Sequence, residues 1–361
     1  MQNALIKTQM QACGGGFPGK RSKVTLRQLY WGLRVGDILT LAGQNLLTPM
    51  ILSFALGLAA AIARSDLTVP EAAAKMMSLY LLFAIGFKGG VAVADHGLDG
   101  QLLGALVGGV ILSFALPFVA FALLRSLTKL SVLDAAAVAA HYGSISIVTF
   151  VTATSVLAAR GIAAEGYMVA VAAAMEAPAI VSALWLVSRR GKGADVQMDA
   201  RLWREILLNG SIVLLVGAFL IGLATGAPGM ARISAFIVAP FQGVLCLFLL
   251  DMGLVAGRGL RSARGVLDGG AVLFGLLMPM IGAAAGLAVA MVLGLSTGGV
   301  ALMMVLAASA SYIAVPAAMR VALPEANPSI YLTLSLGVTF PFNLIIGIPA
   351  YVAIALAVTQ G

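Results

Sequence analysis

The sequence predicts an all-α polytopic membrane protein, with about ten transmembrane helices arranged as a 5+5 inverted repeat in which helices four and nine are broken. Three observations carry that expectation: composition, the lengths of the apolar runs, and a recurring offset between its halves. Of 361 residues, 61% are apolar and 10% charged, and mean hydropathy is +1.04. Too little polar surface exists for such a chain to face water, which excludes a soluble domain, a disordered chain and a disulfide scaffold. A crossing helix needs about 20 apolar residues, so residues 45 to 357 hold roughly ten crossings. Runs of that length also exclude a β-barrel, whose strands alternate over about 10 residues.

Taken in order, residues 1–44 are a polar, basic tail carrying Lys7, Lys20, Arg21, Lys23, Arg27 and Arg34. No apolar stretch follows early enough for a signal peptide, so this is a disordered segment or a mis-assigned start. The first five-helix unit, 45–188, contains apolar segments at about 45–63, 71–94, 101–124, 133–158 and 167–188. A hydrophilic connection, 189–204, is followed by the second unit, 205–361, with segments at about 205–225, 235–256, 266–293, 299–322 and 329–357. Cys13 and Cys246 lie in the tail and in an apolar run, which argues against a disulfide.

The halves echo each other at nearly one spacing. His141-Tyr142-Gly143-Ser144-Ile145-Ser146 in segment four faces Ser309-Ala310-Ser311-Tyr312 in segment nine. Phe87-Lys88-Gly89 faces Asp251-Met252-Gly253, and Ala177-Pro178 faces Phe340-Pro341. An odd number of crossings per half makes the halves insert with opposite orientation, as in many secondary transporters. Orientation follows from loop charge. With both termini outside, inner loops carry twelve basic residues and outer loops only Arg160 and Arg232, while the basic tail argues the other way. The net charge of +8 is thus a topology signal in a bacterial inner membrane rather than a nucleic-acid footprint.

Segments four and nine concentrate the chemistry. Gly143 in one and Pro316 in the other weaken the helix among small and hydroxyl residues: Ser144, Ser146, Thr149, Ser309 and Ser311. A broken helix at membrane depth offers free N–H groups to an anion, and carbonyls and hydroxyls to Na+. The competing reading is close helix packing through small residues, with hydroxyls bonded back to their own helix. Three ionisable residues within spans also need a reason. Lys88 attracts an anion, snorkels to an interface or pairs with Asp251, and Glu176 binds a cation or proton or completes an ion pair. His141 reads as a satisfied interior histidine and His96 as a loop residue. No metal-site spacing, phosphate loop or nucleophile elbow is present, so no enzyme, cofactor or resident metal is expected.

At these positions the chain resembles the sodium-dependent bicarbonate transporters of the SbtA type. The likeness runs through Ile85-Gly86-Phe87-Lys88-Gly89-Gly90, Leu133-Asp134-Ala135, Tyr142-Gly143 and Met175-Glu176-Ala177-Pro178-Ala179. It is most specific in Met319-Arg320 through Pro324-Glu325-Ala326-Asn327-Pro328-Ser329. The resemblance implies core and gate domains, a homotrimer in the membrane lipid, and bicarbonate with Na+ between helices four and nine. It also implies a PII-like regulatory protein on the cytoplasmic side, and both termini outside. By that resemblance Gly143, Ser144, Ser146, Thr149, Ser309, Ser311 and Tyr312 form the anion site, and Glu176, Ser309 and Ser311 the coupling site. The chain departs from the family pattern where Ile147, Val148, Ala314 and Val315 replace small or hydroxyl residues, and where Tyr312 replaces an acid. Glu176 stands in place of aspartate. The expected function is Na+-dependent bicarbonate uptake by alternating access. The alternatives are H+-coupled transport of another small anion, and a transport-inactive receptor for a PII-like protein.

Overall fold

A computed structural model describes residues 47–97, 100–190, 204, 208, 210–262, 268–312 and 314–360. The basic tail and most of the 189–204 connection lie outside the described residues, as does the side chain of His96. The described chain is helical throughout, and eight of its segments are long and apolar enough to cross a membrane. Two shorter apolar helices, Pro49–Ile62 and Thr297–Ala308, occupy the places of the first crossing and of half the ninth.

The helices are α1 (Pro49–Ile62), α2 (Glu71–His96), α3 (Gly100–Leu127), α4 (Val132–Gly143), α5 (Ile147–Ala159), α6 (Met168–Ala174) and α7 (Pro178–Arg190). After the hydrophilic connection come α8 (Gly210–Ile237), α9 (Phe241–Ser262), α10 (Gly269–Leu293), α11 (Thr297–Ala308) and α12 (Ala314–Ala322). The last crossing, α13 (Pro328–Gln360), contains two π-helical stretches, Thr333–Thr339 and Asn343–Gly347. Expected segments four and nine are thus α4–α5 and α11–α12, each broken near its middle.

Glycines bring backbones together where lipid offers no hydrophobic drive for helix association. In one set of helices α1 runs parallel to α9, with Gly57 against the Leu250 backbone and Gly253 against that of Phe54. There too α2 runs parallel to α8, with Gly90 against the Phe219 carbonyl and Gly222 against that of Phe87. The other set joins α3, α4, α7, α10, α11 and α13. Within it α3 and α10 are antiparallel, Gly104 meeting Leu293 and Gly270 meeting Leu127. A Cβ at position 90 would collide with the Phe219 carbonyl, whereas Gly217 has open space around it. Gly90→Val should therefore cost about 1–3 kcal/mol or more through overpacking, read as a lower thermal midpoint in detergent, with Gly217→Ala unchanged.

Two expected boundaries are corrected. Segment six does not stop near residue 225: α8 turns at Gly226 (φ 53°, ψ −153°), two residues before Pro228, and its second arm returns along α2. Gly229 lies beside the Phe87 ring, and the Phe236 carbonyl accepts a 2.6 Å bond from the Tyr80 hydroxyl. Arg232, expected in an outer loop, sits in that returning arm. A glycine backbone permits the turn and proline removes a helical donor just beyond it. The fifth crossing is also interrupted, between α6 and α7, where segment 167–188 was expected to be continuous.

Candidate functional site

The two central breaks are built alike. Helices α4 and α11 each have twelve residues, begin at a serine cap (Ser131, Ser296) and end at another (Ser144, Ser309), all at a constant spacing of 165. In each, the first serine accepts the backbone N–H three residues on, satisfying a donor that would otherwise be orphaned. Beyond α4 the chain stays extended until Ser146 caps α5.

Backbone groups lock the breaks together. The Ser146 N–H donates to Ser309 Oγ at 2.9 Å, and the Ser311 N–H donates to the His141 carbonyl at 2.8 Å. Asn343, from a π-helical stretch of α13, donates its amide to the Ala308 carbonyl at 2.9 Å. An i→i+5 stretch is the sort of irregularity found beside such sites.

The expected site residues divide by what their protons are doing. Ser309 Oγ accepts from Ser146 and donates to the Leu306 carbonyl at 3.0 Å, so it is a clip between the breaks. Thr149 donates from both its N–H and its hydroxyl to Ser146 Oγ, at 3.2 and 2.9 Å. Ser146 is therefore an acceptor twice over, and its own hydroxyl proton is free to donate. Ser144 is buried with no partner for its hydroxyl. Gly143 has a packing role: a Cβ there would meet the Pro117 ring and the Ser113 carbonyl of α3. His141 is buried, its Nδ1 2.6 Å from the Ala137 carbonyl and its ring stacked 4.5 Å from Tyr331. Its Nε2 has no partner, so the expectation of a fully satisfied histidine holds at one ring nitrogen only.

Glu176 completes the arrangement. It sits in the gap between α6 and α7, where the Ser113 hydroxyl bonds the Met175 carbonyl at 2.6 Å and Pro178 brings no N–H. The break turns Glu176 towards the crossing of the other two. A cavity of about 10 Å3 is lined by Ser146, Glu176, Ser211, Ser311, Tyr312 and the flanking Ile145 and Ile147. Glu176 is 5% exposed, and its Oε2 has no hydrogen-bond partner. The Tyr312 phenol lines the same cavity as Ser146 with no hydrogen-bond partner, and its ring packs edge-on to Phe340 at 5.3 Å. Such a space holds about one water-sized guest. A bicarbonate ion, with four heavy atoms, needs it to widen.

The expected Lys88–Asp251 pair does not form. Lys88 Nζ lies 4.2 Å from the centroid of the Phe241 ring, and no ion pair joins it to Asp251. Asp251 is buried on α9 with Arg258 as the charge that acts on it. Their helices pack together, but an equal offset in the chain does not place side chains face to face. Among the described residues no cluster of His, Cys, Asp and Glu could hold a metal ion.

A family model described as Na+-dependent bicarbonate transporter superfamily matches residues 49–356. The chain belongs to that superfamily. The match takes in every helix from α1 through most of α13, and with them both broken crossings and Glu176. No curated protein matches the chain. Membership makes this bicarbonate-transporter relative a multi-pass membrane protein of a transport family rather than an enzyme family, one in which Na+ is the coupling ion.

Proposed function

We propose that this superfamily member is a secondary transporter that takes up bicarbonate by alternating access, with Na+ bound at Glu176. The observation that carries this reading is the cavity where a buried carboxylate, one of its oxygens without a hydrogen-bond partner, meets Ser146, Ser311 and Tyr312 at the crossing of the broken helices. Charge explains the combination: an isolated carboxylate is costly at that depth and calls for a cation, and a carboxylate plus hydroxyl oxygens suits Na+. Loaded with its cation, the site turns from negative to neutral and no longer repels an anion. Ser146 donates its free proton to that anion, and Tyr312 is placed to donate a second.

The two helix sets supply the moving parts. The set α1, α2, α8 and α9 serves as gate, and the set carrying the breaks as core. Equal half-helices at one spacing, antiparallel α3 and α10, and the exchanged pairs α1–α9 and α2–α8 support the inverted 5+5 plan. The family likeness adds a homotrimer in the bacterial inner membrane and a cytoplasmic PII-like partner.

Proton coupling is the second reading. It is favoured by Tyr312, which puts a phenol where the family has an acid and leaves Glu176 the sole carboxylate of the cavity. Purified protein in vesicles distinguishes the readings. An inward Na+ gradient should drive accumulation of labelled bicarbonate, and dependence on a pH gradient alone would transfer the coupling to H+. Absence of uptake under both gradients would favour a receptor and remove the proposal.

Topology is tested separately. Cysteines introduced at 188–204 should react with membrane-impermeant reagents only from the cytoplasmic side, because five basic residues there oppose translocation. Labelling from outside would invert the orientation.

A further inference from the structure

Away from the crossover lies a larger space. A cleft of about 320 Å3 opens between α2 and α9 on one side and α5 and α6 on the other, lined among others by Lys88, Thr154, Ser155, Glu165, Phe241 and Gln242. It is closed along one edge by tight contacts, Gly89 against Val169 and Gly166 against Ala92. Lys88 stands eight residues before the end of α2, about 12 Å along the helix axis. Its ammonium rests over the Phe241 ring, and among the described residues no carboxylate pairs with it. Glu165, the acid of the cleft, is already engaged: its oxygens accept from the Ser296 N–H at 2.6 Å and the Ser296 hydroxyl at 2.9 Å.

A lysine charge held within a crossing and without an ion pair among the described residues needs a reason. Cation–π contact positions it but does not neutralise it. Ser155 and Gln242 add donor groups in the same cleft, which is roomy enough for an oxyanion with several waters. The cleft and the crossover cavity share α5. Ile147 lines one, and Phe150, Thr154 and Ser155 line the other, about 5–12 Å further along the helix.

We propose that the Lys88 cleft is a second anion site, a vestibule that concentrates the transported small oxyanion about one to two helical turns from the crossover. This inference rests on the proposed bicarbonate transport for its ligand, but not for its charge.

Two measurements test it. The first needs no transport. With Cys13 and Cys246 replaced by serine and Thr154→Cys introduced, an anionic methanethiosulfonate should modify the new thiol about tenfold faster, relative to a cationic one, than in the Lys88→Met background. Intact mass follows the reaction, and bicarbonate should slow it only when Lys88 is present. The second is uptake kinetics in vesicles. Lys88→Met, or Lys88→Gln should the first fail to fold, should raise the KM for bicarbonate about tenfold with the maximal rate within twofold, while Lys88→Arg keeps the KM low. Equal reagent preference with and without Lys88 would overturn the site. So would an unchanged KM, or a loss confined to maximal rate, which is what a snorkelling or purely structural lysine predicts. If the unsubstituted protein takes up no bicarbonate, the proposed function fails, while the reagent preference still decides whether the vestibule attracts anions.

Discussion

Glu176→Gln is expected to lower gradient-driven bicarbonate uptake by about 100-fold or more, while leaving the protein at least as thermostable as before. Both effects follow from one buried group. The carboxylate is enclosed with Ser146, Ser311 and Tyr312, and one of its oxygens has no hydrogen-bond partner. Removing one member of a desolvated ion pair costs about 3–5 kcal/mol, and each 1.4 kcal/mol is tenfold in affinity. On the proposed function the lost partner is the coupling cation, so the penalty falls on transport. The empty protein loses only an uncompensated charge, and an amide of the same shape is easier to bury. Vesicle uptake and thermal midpoints check the two halves independently. Normal cation-driven uptake by Glu176→Gln would place the coupling site elsewhere. A collapse in stability would show instead that the carboxylate is structural.

The second large effect concerns the hydroxyls, which the hydrogen-bond pattern separates. Ser146→Ala removes a hydroxyl proton that Thr149 leaves uncommitted, and with it the acceptor of both Thr149 donors at the start of α5, so a loss of an N-cap adds to any loss of binding. A hydrogen bond to a charged ligand is worth about 1.5–3 kcal/mol, so bicarbonate binding should weaken about 10- to 150-fold. Ser309→Ala acts differently. It leaves the Ser146 N–H without its acceptor and should lower thermal stability as well as uptake, because the clip between the breaks is cut. Tyr312→Phe tests the second donor. Its uptake should fall if the phenol bonds the anion, and stay unchanged if the ring merely fills the place of the family's acid. In that second case Tyr312→Asp should strengthen Na+ dependence, since the new carboxylate would join Glu176 in one cavity. Normal uptake in Ser146→Ala, Ser309→Ala and Tyr312→Phe together would move the anion site away from the crossover.

Much of the fold was legible in the sequence because membrane insertion imposes a local rule. Each crossing must be apolar for about 20 residues and must bond its own backbone, so the runs and the polar connection could be read one after another. The breaks of crossings four and nine were legible for the same kind of reason: Gly143, the serines and Pro316 act on their own stretch of helix. The turn at Gly226 was signalled by the nearby Pro228, yet nothing local says that an arm beyond it will fold back onto Tyr80 and Phe87. The interruption at Glu176 was visible only as a proline two residues later. The echo between segments four and nine lay within a few residues of the 165 that separates the half-helices α4 and α11, but a similar offset misled for Lys88 and Asp251. An equal offset between two halves of a chain does not fix which side chains face each other.

The sequence by itself determined the class of molecule, its crossings, the two central breaks and the likeness to a bicarbonate-transporting family. Only the tertiary structure decided that a third break swings Glu176 into the cavity with Ser146, Ser311 and Tyr312. It alone showed that Ser309 donates to the Leu306 carbonyl and Thr149 to Ser146, and that Lys88 stands in a cleft of its own. The physical reason is one of range. Hydropathy and helix breaking act within a segment, whereas a hydrogen bond's direction and a buried charge's partner depend on atoms brought together from crossings far apart in the chain.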